Sequence, residues 1–198
     1  MEPSHNIHIQ GFVNPKEFVQ QWSSLYTYGM EDKYEMHIHH VLDSRESFFE
    51  LFKWKNGTGG IISRKKTKTV EGFWEKIDSL RELRDHFDWD LFEHEFQPQR
   101  TPNIWKIFLL HLVKPTHFPI YDQHVYRFYH FHKTGVIQEI PKNHSARYLG
   151  YKQDYLHWFN DIKTRYDLHP KKMDESFFAF GQFLKDLNPE PLEVRSTK

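Results

Sequence analysis

A single aspartate, Asp122, stands between an extended, proline-flanked segment and an aromatic helical run in KPTHFPIYDQHVYRFYHF, residues 114–131. Pro119 biases the residue before it away from helix, and aspartate is among the best N-caps, so Asp122 is expected to start the helix. Capping and chemistry are compatible. A carboxylate at a helix N-terminus lies beside unsatisfied N–H groups and the positive end of the dipole, where negative charge is stabilised. Held at the edge of a pocket, such a group can stabilise a developing cation, or orient and deprotonate water.

The other candidates for chemistry are histidines, of which there are 15. HIHH at residues 37–40 would set His37 and His39 on one strand face. No second cluster supplies spaced ligands and no HExxH pair exists, so neither metal nor other cofactor is expected. The absence of cysteine removes disulfides, thiolate zinc sites, iron–sulfur clusters and cysteine nucleophiles together. Arg81 with His86, and Arg127 with His132, fit the Arg-x4-6-His spacing by which some all-helical ribonucleases resemble one another. Such pairs arise by chance at this histidine density. The residue after each arginine, Glu82 or Phe128, also departs from the usual polar Asn or Asp.

Charge is balanced overall, with 27 basic and 27 acidic residues, but it is segregated. Residues 53–68, KWKNGTGGIISRKKTK, hold six basic residues and no acidic one, whereas residues 71–95 hold nine acidic and three basic. A basic face of this kind attracts an anionic partner, although a solvated lysine loop accounts for it equally well. Lys53, Lys55, Arg64, Lys65, Lys66 and Lys68 suit phosphate contacts. Trp54 can stack a base or pack in the core. Asn56 can meet a base edge, although in Asn-Gly it is first a turn residue.

The elements that must position these groups are helices. Asn14 caps and Pro15 opens a first one, with Phe18, Val19, Trp22, Leu25 and Tyr26 at helical spacing. Ser44 caps RESFFELFKW, and NGTGG stops it, predicting a turn or short hairpin near residues 56–70. Phe73, Trp74, Ile77, Leu80 and Leu83 predict one continuous helix, with DWDLFEHEF a separate short one. Thr101 caps and Pro102 opens a helix that ends at Lys114-Pro115, and the next runs from Asp122 to about Lys133. Leu156, Phe159 and Ile162 mark another. Asp174 is expected to cap the last, and residues 189–198 form a frayed tail. Alanine occurs only at Ala146 and Ala179, so the core must be largely aromatic.

FPIYDQHVYR, preceded by an amphipathic helix ending in LVKP, resembles the segment that carries the essential aspartate in helix-hairpin-helix DNA glycosylases. MDESFFAFGQFLK is similar to the late helix that packs behind that site. The resemblance covers residues 101–127 and extends to the C-terminal helix. It implies a base-excision enzyme acting on duplex DNA with a damaged or modified base, flipped out of the stack. Asp122 would be the catalytic carboxylate, with Trp54, Asn56, Tyr121 and His124 around the substrate. The family's glycine-rich hairpin is replaced by EFQPQRTPN. There the N-terminus of the Thr101 helix, with Arg100, would offer a phosphate site, and Asn103, Lys106 and Arg127 would add backbone contacts. The lysine of bifunctional members has no counterpart, since the matching position falls near Pro102 or Asn103, and Lys106 lies a turn later. This implies a monofunctional glycosylase, in repair or in defence against modified phage DNA.

The expectation is therefore an all-α, compact multi-helix domain over residues 1–198, divisible into lobes of about 1–98 and 99–190 around a cleft. With no signal-like N-terminus and no membrane-length apolar run, a cytoplasmic setting is expected, without membrane or obligate protein partner. Two other readings are a non-catalytic nucleic-acid-binding or interaction module of the same fold, and the Arg–His ribonuclease.

Overall fold

The computed structural model describes residues 14–57, 61–96 and 103–187. Among them there is no β-strand: the protein is all-helical. The chain forms α1 (Pro15–Ser24), α2 (Glu31–Ile38), α3 (Arg45–Asn56), α4 (Arg64–Trp74), α5 (Ile77–Asp85), α6 (Trp89–Glu95), α7 (Asn103–Val113), α8 (Gln123–Thr134), α9 (His144–Gly150), a π-helical turn (Tyr151–Tyr155), α10 (Leu156–Arg165) and α11 (Pro170–Leu187). Among the described residues no helix is long and apolar enough to cross a membrane.

Helix starts follow the sequence closely. Asn14 Oδ1 accepts from the Lys16 amide at 3.0 Å ahead of Pro15, Ser44 Oγ accepts from Ser47, and Asp88 Oδ1 accepts from Leu91 at 2.7 Å. Each cap satisfies an amide that the first helical turn leaves without a carbonyl. The expected Thr101 cap and Pro102 lie outside the described residues.

Four local expectations are corrected. Among its described residues the basic segment forms no hairpin: Gly57, at φ 69°, ends α3 in the left-handed region that glycine adopts without strain, and Ser63 caps α4. The run through Phe73 and Leu83 is two helices, because α4 packs on α3 whereas α5 packs on α6 and α7. His37 lies in α2 and bonds Ser47 Oγ at 3.1 Å, while His39 follows the helix, so they share no strand face. Asp174 does not cap α11. Pro170, whose fixed φ suits the first helical position, starts that helix earlier and leaves Asp174 buried in it.

The described residues pack as two units, each discontinuous in sequence. One comprises residues 14–26, 122–141 and 161–187, and the other residues 27–121 and 142–160. The chain thus changes unit at 26/27, 121/122, 141/142 and 160/161. In the first unit α11 packs on α1 and α8, and Phe18 meets Phe128, Phe177 and Phe180 with ring centroids 5.5, 6.5 and 5.5 Å away. In the second, α3 and α7 form the apolar centre through Phe48, Phe52, Trp54, Trp105 and Phe108, each no more than 5 % exposed. Such large rings supply the area that scarce aliphatic residues cannot.

Candidate active site

The approach to Asp122 is fixed in the second unit. α7 ends at Val113, and the amides of His117 and Phe118 return to the Lys114 carbonyl at 3.0 and 2.9 Å. The Phe118 carbonyl lies 2.8 Å from His111 Nδ1, and His111 Nε2 lies 2.7 Å from the Tyr34 hydroxyl. A carbonyl can only accept, so Nδ1 of this buried imidazole donates to Phe118, and Nε2 is left to meet the Tyr34 hydroxyl. The Tyr151 hydroxyl donates to the Pro119 carbonyl at 3.3 Å. Tyr121 is only 3 % exposed, packed 5.4 and 5.0 Å from the rings of Tyr151 and Tyr155. Its assignment to the substrate is corrected: it is a core side chain that anchors the segment.

In the first unit Asp122 is the N-cap of α8. Its Oδ1 accepts from the amides of His124 and Val125 at 2.9 and 3.0 Å, and its carbonyl accepts from Tyr126. The half-buried carboxylate is therefore held by two backbone donors at the positive end of the helix dipole. The His124 ring lies tilted against Phe178, ring centroids 4.7 Å apart. Its Nδ1 lies 3.2 Å from Arg127 Nη1, which can only donate, so the neutral ring carries its proton on Nε2. Burial lowers the His124 pKa below its ordinary value; the Asp122 charge opposes this and the Arg127 charge assists it.

Arg127 is not a DNA-backbone residue. It is 1 % exposed, with Nε and Nη2 donating to Glu139 Oε1 at 2.8 and 2.6 Å and Nη1 donating to the Gly181 carbonyl at 2.9 Å. A buried guanidinium persists only with its donors satisfied, and here they tie α8 to α11 and to the segment after α8. This also removes Arg127 from the ribonuclease pair with His132. Arg81 is likewise engaged, by the Leu42 carbonyl at 3.0 Å and Asp78 at 2.9 Å.

Several other expected contacts are interior. Trp54 is 5 % exposed between Tyr28, Tyr34 and Phe108, so it packs rather than stacks a base. Asn56 shapes the turn after α3: its Nδ2 donates to the Ile61 carbonyl at 3.0 Å and its Oδ1 accepts from Lys66. Lys66 is thereby drawn inward, 5.6 Å from the Trp105 ring. Lys53 pairs with Glu50 at 2.5 Å, and Lys55 lies 5.9 Å from the Phe108 ring. Asn103, 6 % exposed, donates to the His144 carbonyl at 2.6 Å. Lys106, 1 % exposed, pairs with Glu93 at 2.5 Å beneath the Tyr148 ring, 4.3 Å away. Burial works to raise the Glu93 pKa, but hydrogen bonds from Lys106 and Tyr148 and the charges of Lys106 and Lys152 bring it below the ordinary carboxylate value. Burial and Glu93 together push the Tyr148 phenol far up.

Arg64, Lys65 and Lys68 are exposed. Arg100 and Thr101 lie outside the described residues. No group of three or more metal-ligating side chains occurs among the described residues. Sequence reading missed Glu139 and Gly181. Glycine inside FAFGQF was the available signal, since a glycine kept within a helix usually serves close packing; nothing marked Glu139. Comparison with protein-family models, curated proteins and solved structures found no match.

Proposed function

We propose that the protein is a monofunctional DNA N-glycosylase-like enzyme with Asp122 as its catalytic carboxylate. The observation that carries this reading is the double amide clamp on Asp122 Oδ1 at the start of α8. A carboxylate so held needs no reorganisation to meet positive charge developing at a sugar C1′. The C1′–N bond breaks with its electron pair leaving on the base, which takes up a proton from solvent. Water adds to C1′, giving up its proton to Asp122 or to solvent, and a free base and an abasic site result. His124 sits within the same turn as a neutral imidazole, and does not add cationic charge beside the carboxylate.

The role, in repair or in defence against modified phage DNA, follows from which base is released. The test is incubation with duplexes bearing damaged, alkylated and hypermodified bases, followed by alkali to reveal abasic sites. Strand breaks with the wild type and none with Asp122→Asn are expected. Release that survives Asp122→Asn, or no release across the panel, overturns the reading. A non-catalytic binding module of the same architecture is favoured by one observation: Trp54 and Tyr121, the aromatic candidates for holding a base, are both core residues. DNA binding without base release would support it.

A further inference from the structure

α4 carries charge that the rest of the fold leaves unanswered. Arg64, Lys65 and Lys68 are exposed, and no described residue forms an ion pair with them. Many other cations of this unit are matched, Lys33 and Lys53 by Glu50, Lys76 by Glu95, Arg84 by Asp43, and Lys106 and Lys152 by Glu93, and those that are not, such as Arg45, Lys114 and Lys142, are not gathered in one turn. No carboxylate occurs in the sequence between Glu50 and Glu71. At positions i, i+1 and i+4, the three side chains project from adjoining parts of one helical turn. Lys66, in the same turn, points inward to Asn56, so the outward charge is a sorted subset of a basic run.

The helix's apolar residues decide the kind of partner. Val70 and Phe73 are 0 and 6 % exposed, so α4 has no apolar face to lay into a bilayer. Ile61, 77 % exposed ahead of the cap, is a single aliphatic side chain. A row of cations without an apolar component instead fits a ligand of closely repeated anions, to which an unpaired arginine offers a planar, two-pronged donor. We infer that the Arg64–Lys65–Lys68 face of α4 binds the phosphate backbone of duplex DNA; the choice of DNA among polyanions rests on the base-excision reading.

The experiment measures binding of an unmodified, fluorescein-labelled duplex by anisotropy over a salt series. It compares the wild type, Arg64→Gln/Lys65→Gln/Lys68→Gln, the single Lys68→Gln, and a control with exposed Lys16→Gln/Lys133→Gln. Removing one cation from the phosphate backbone should lower the slope of log K against log salt by about 0.9, so about 2–3 for the triple variant. Lys68→Gln gives a proportionate part should the triple variant fold poorly, and the control should match wild type. Equal slopes for triple variant, single variant and wild type overturn the inference. So does capture by phosphatidylserine vesicles without salt-sensitive binding of duplex. Loss of duplex binding in the triple variant, with no base released by wild type, upholds the contact and removes the excision reading. Asp122-dependent excision with unchanged duplex binding does the reverse.

Discussion

Gly181 of α11 lies so close to the backbone of His124 that a β-carbon built on it would stand 2.0 Å from the His124 carbonyl oxygen. The obstacle is backbone, so no rotamer change relieves it. Replacing glycine by alanine inside a helix ordinarily gains about 0.5–1 kcal/mol. Here Gly181→Ala is expected to lose about 1–3 kcal/mol net, because α8 and α11 must separate to admit the methyl group. Urea unfolding measures it, and a gain in stability would show that the two helices part freely.

Arg127 is the polar counterpart of that contact. Arg127→Met should cost about 1–3 kcal/mol by leaving the Gly181 carbonyl and His124 Nδ1 without their donor. Glu139, with its side chain 49 % exposed, returns to water, so Glu139→Gln should cost less. Arg127→Lys should fall near the Met variant, since one ammonium cannot reach all of these acceptors. A double-mutant cycle between positions 127 and 139 that shows no coupling would contradict this account.

Asp122 can be separated into its two roles. Asn caps helices about as well as Asp, so Asp122→Asn should unfold near the wild-type midpoint, whereas Asp122→Ala should lose about 0.5–2 kcal/mol. Both should lower base release by about 100-fold or more. Equal release by wild type and Asp122→Asn would leave the residue as a cap alone.

His124 sets a pH dependence. Burial holds its pKa below the ordinary 6.5 in the folded protein. Between that depressed value and 6.5 the unfolded chain binds the proton that the folded one refuses, so stability falls as pH drops below 6.5. Glu50, lowered chiefly by its hydrogen bond from Lys53, and Glu93 add a further loss as pH falls below their ordinary 4.5. Urea midpoints followed from neutral to mildly acidic pH should decline in the wild type. They should decline less in His124→Gln, which retains an acceptor for Arg127.

The sequence announces helix starts well where capping is local: Asn14, Ser44 and Asp122 each act on amides two or three residues away. It is silent on which cations are buried. Lys106 and Arg127 read like any surface base, and what takes them inside is a carboxylate 13 or 12 residues distant, Glu93 or Glu139. The break between α4 and α5 was hidden for a related reason. Their apolar positions keep one period while serving different neighbours, and the nearby glycine, Gly72, lies inside α4 rather than at the division. Asp122 was legible as a cap; the Arg127–Gly181 brace behind it depends on residues 54 apart.

That separation has a consequence for the order in which the chain is made. α1 is made before the other described helices, but its packing partner, α11, comes last among them. Phe18 and Val19 are therefore without their native neighbours while almost every other helix is synthesised, exposed to premature association. A chain cut before Pro170 deprives both α1 and α8 of the surface they fold against.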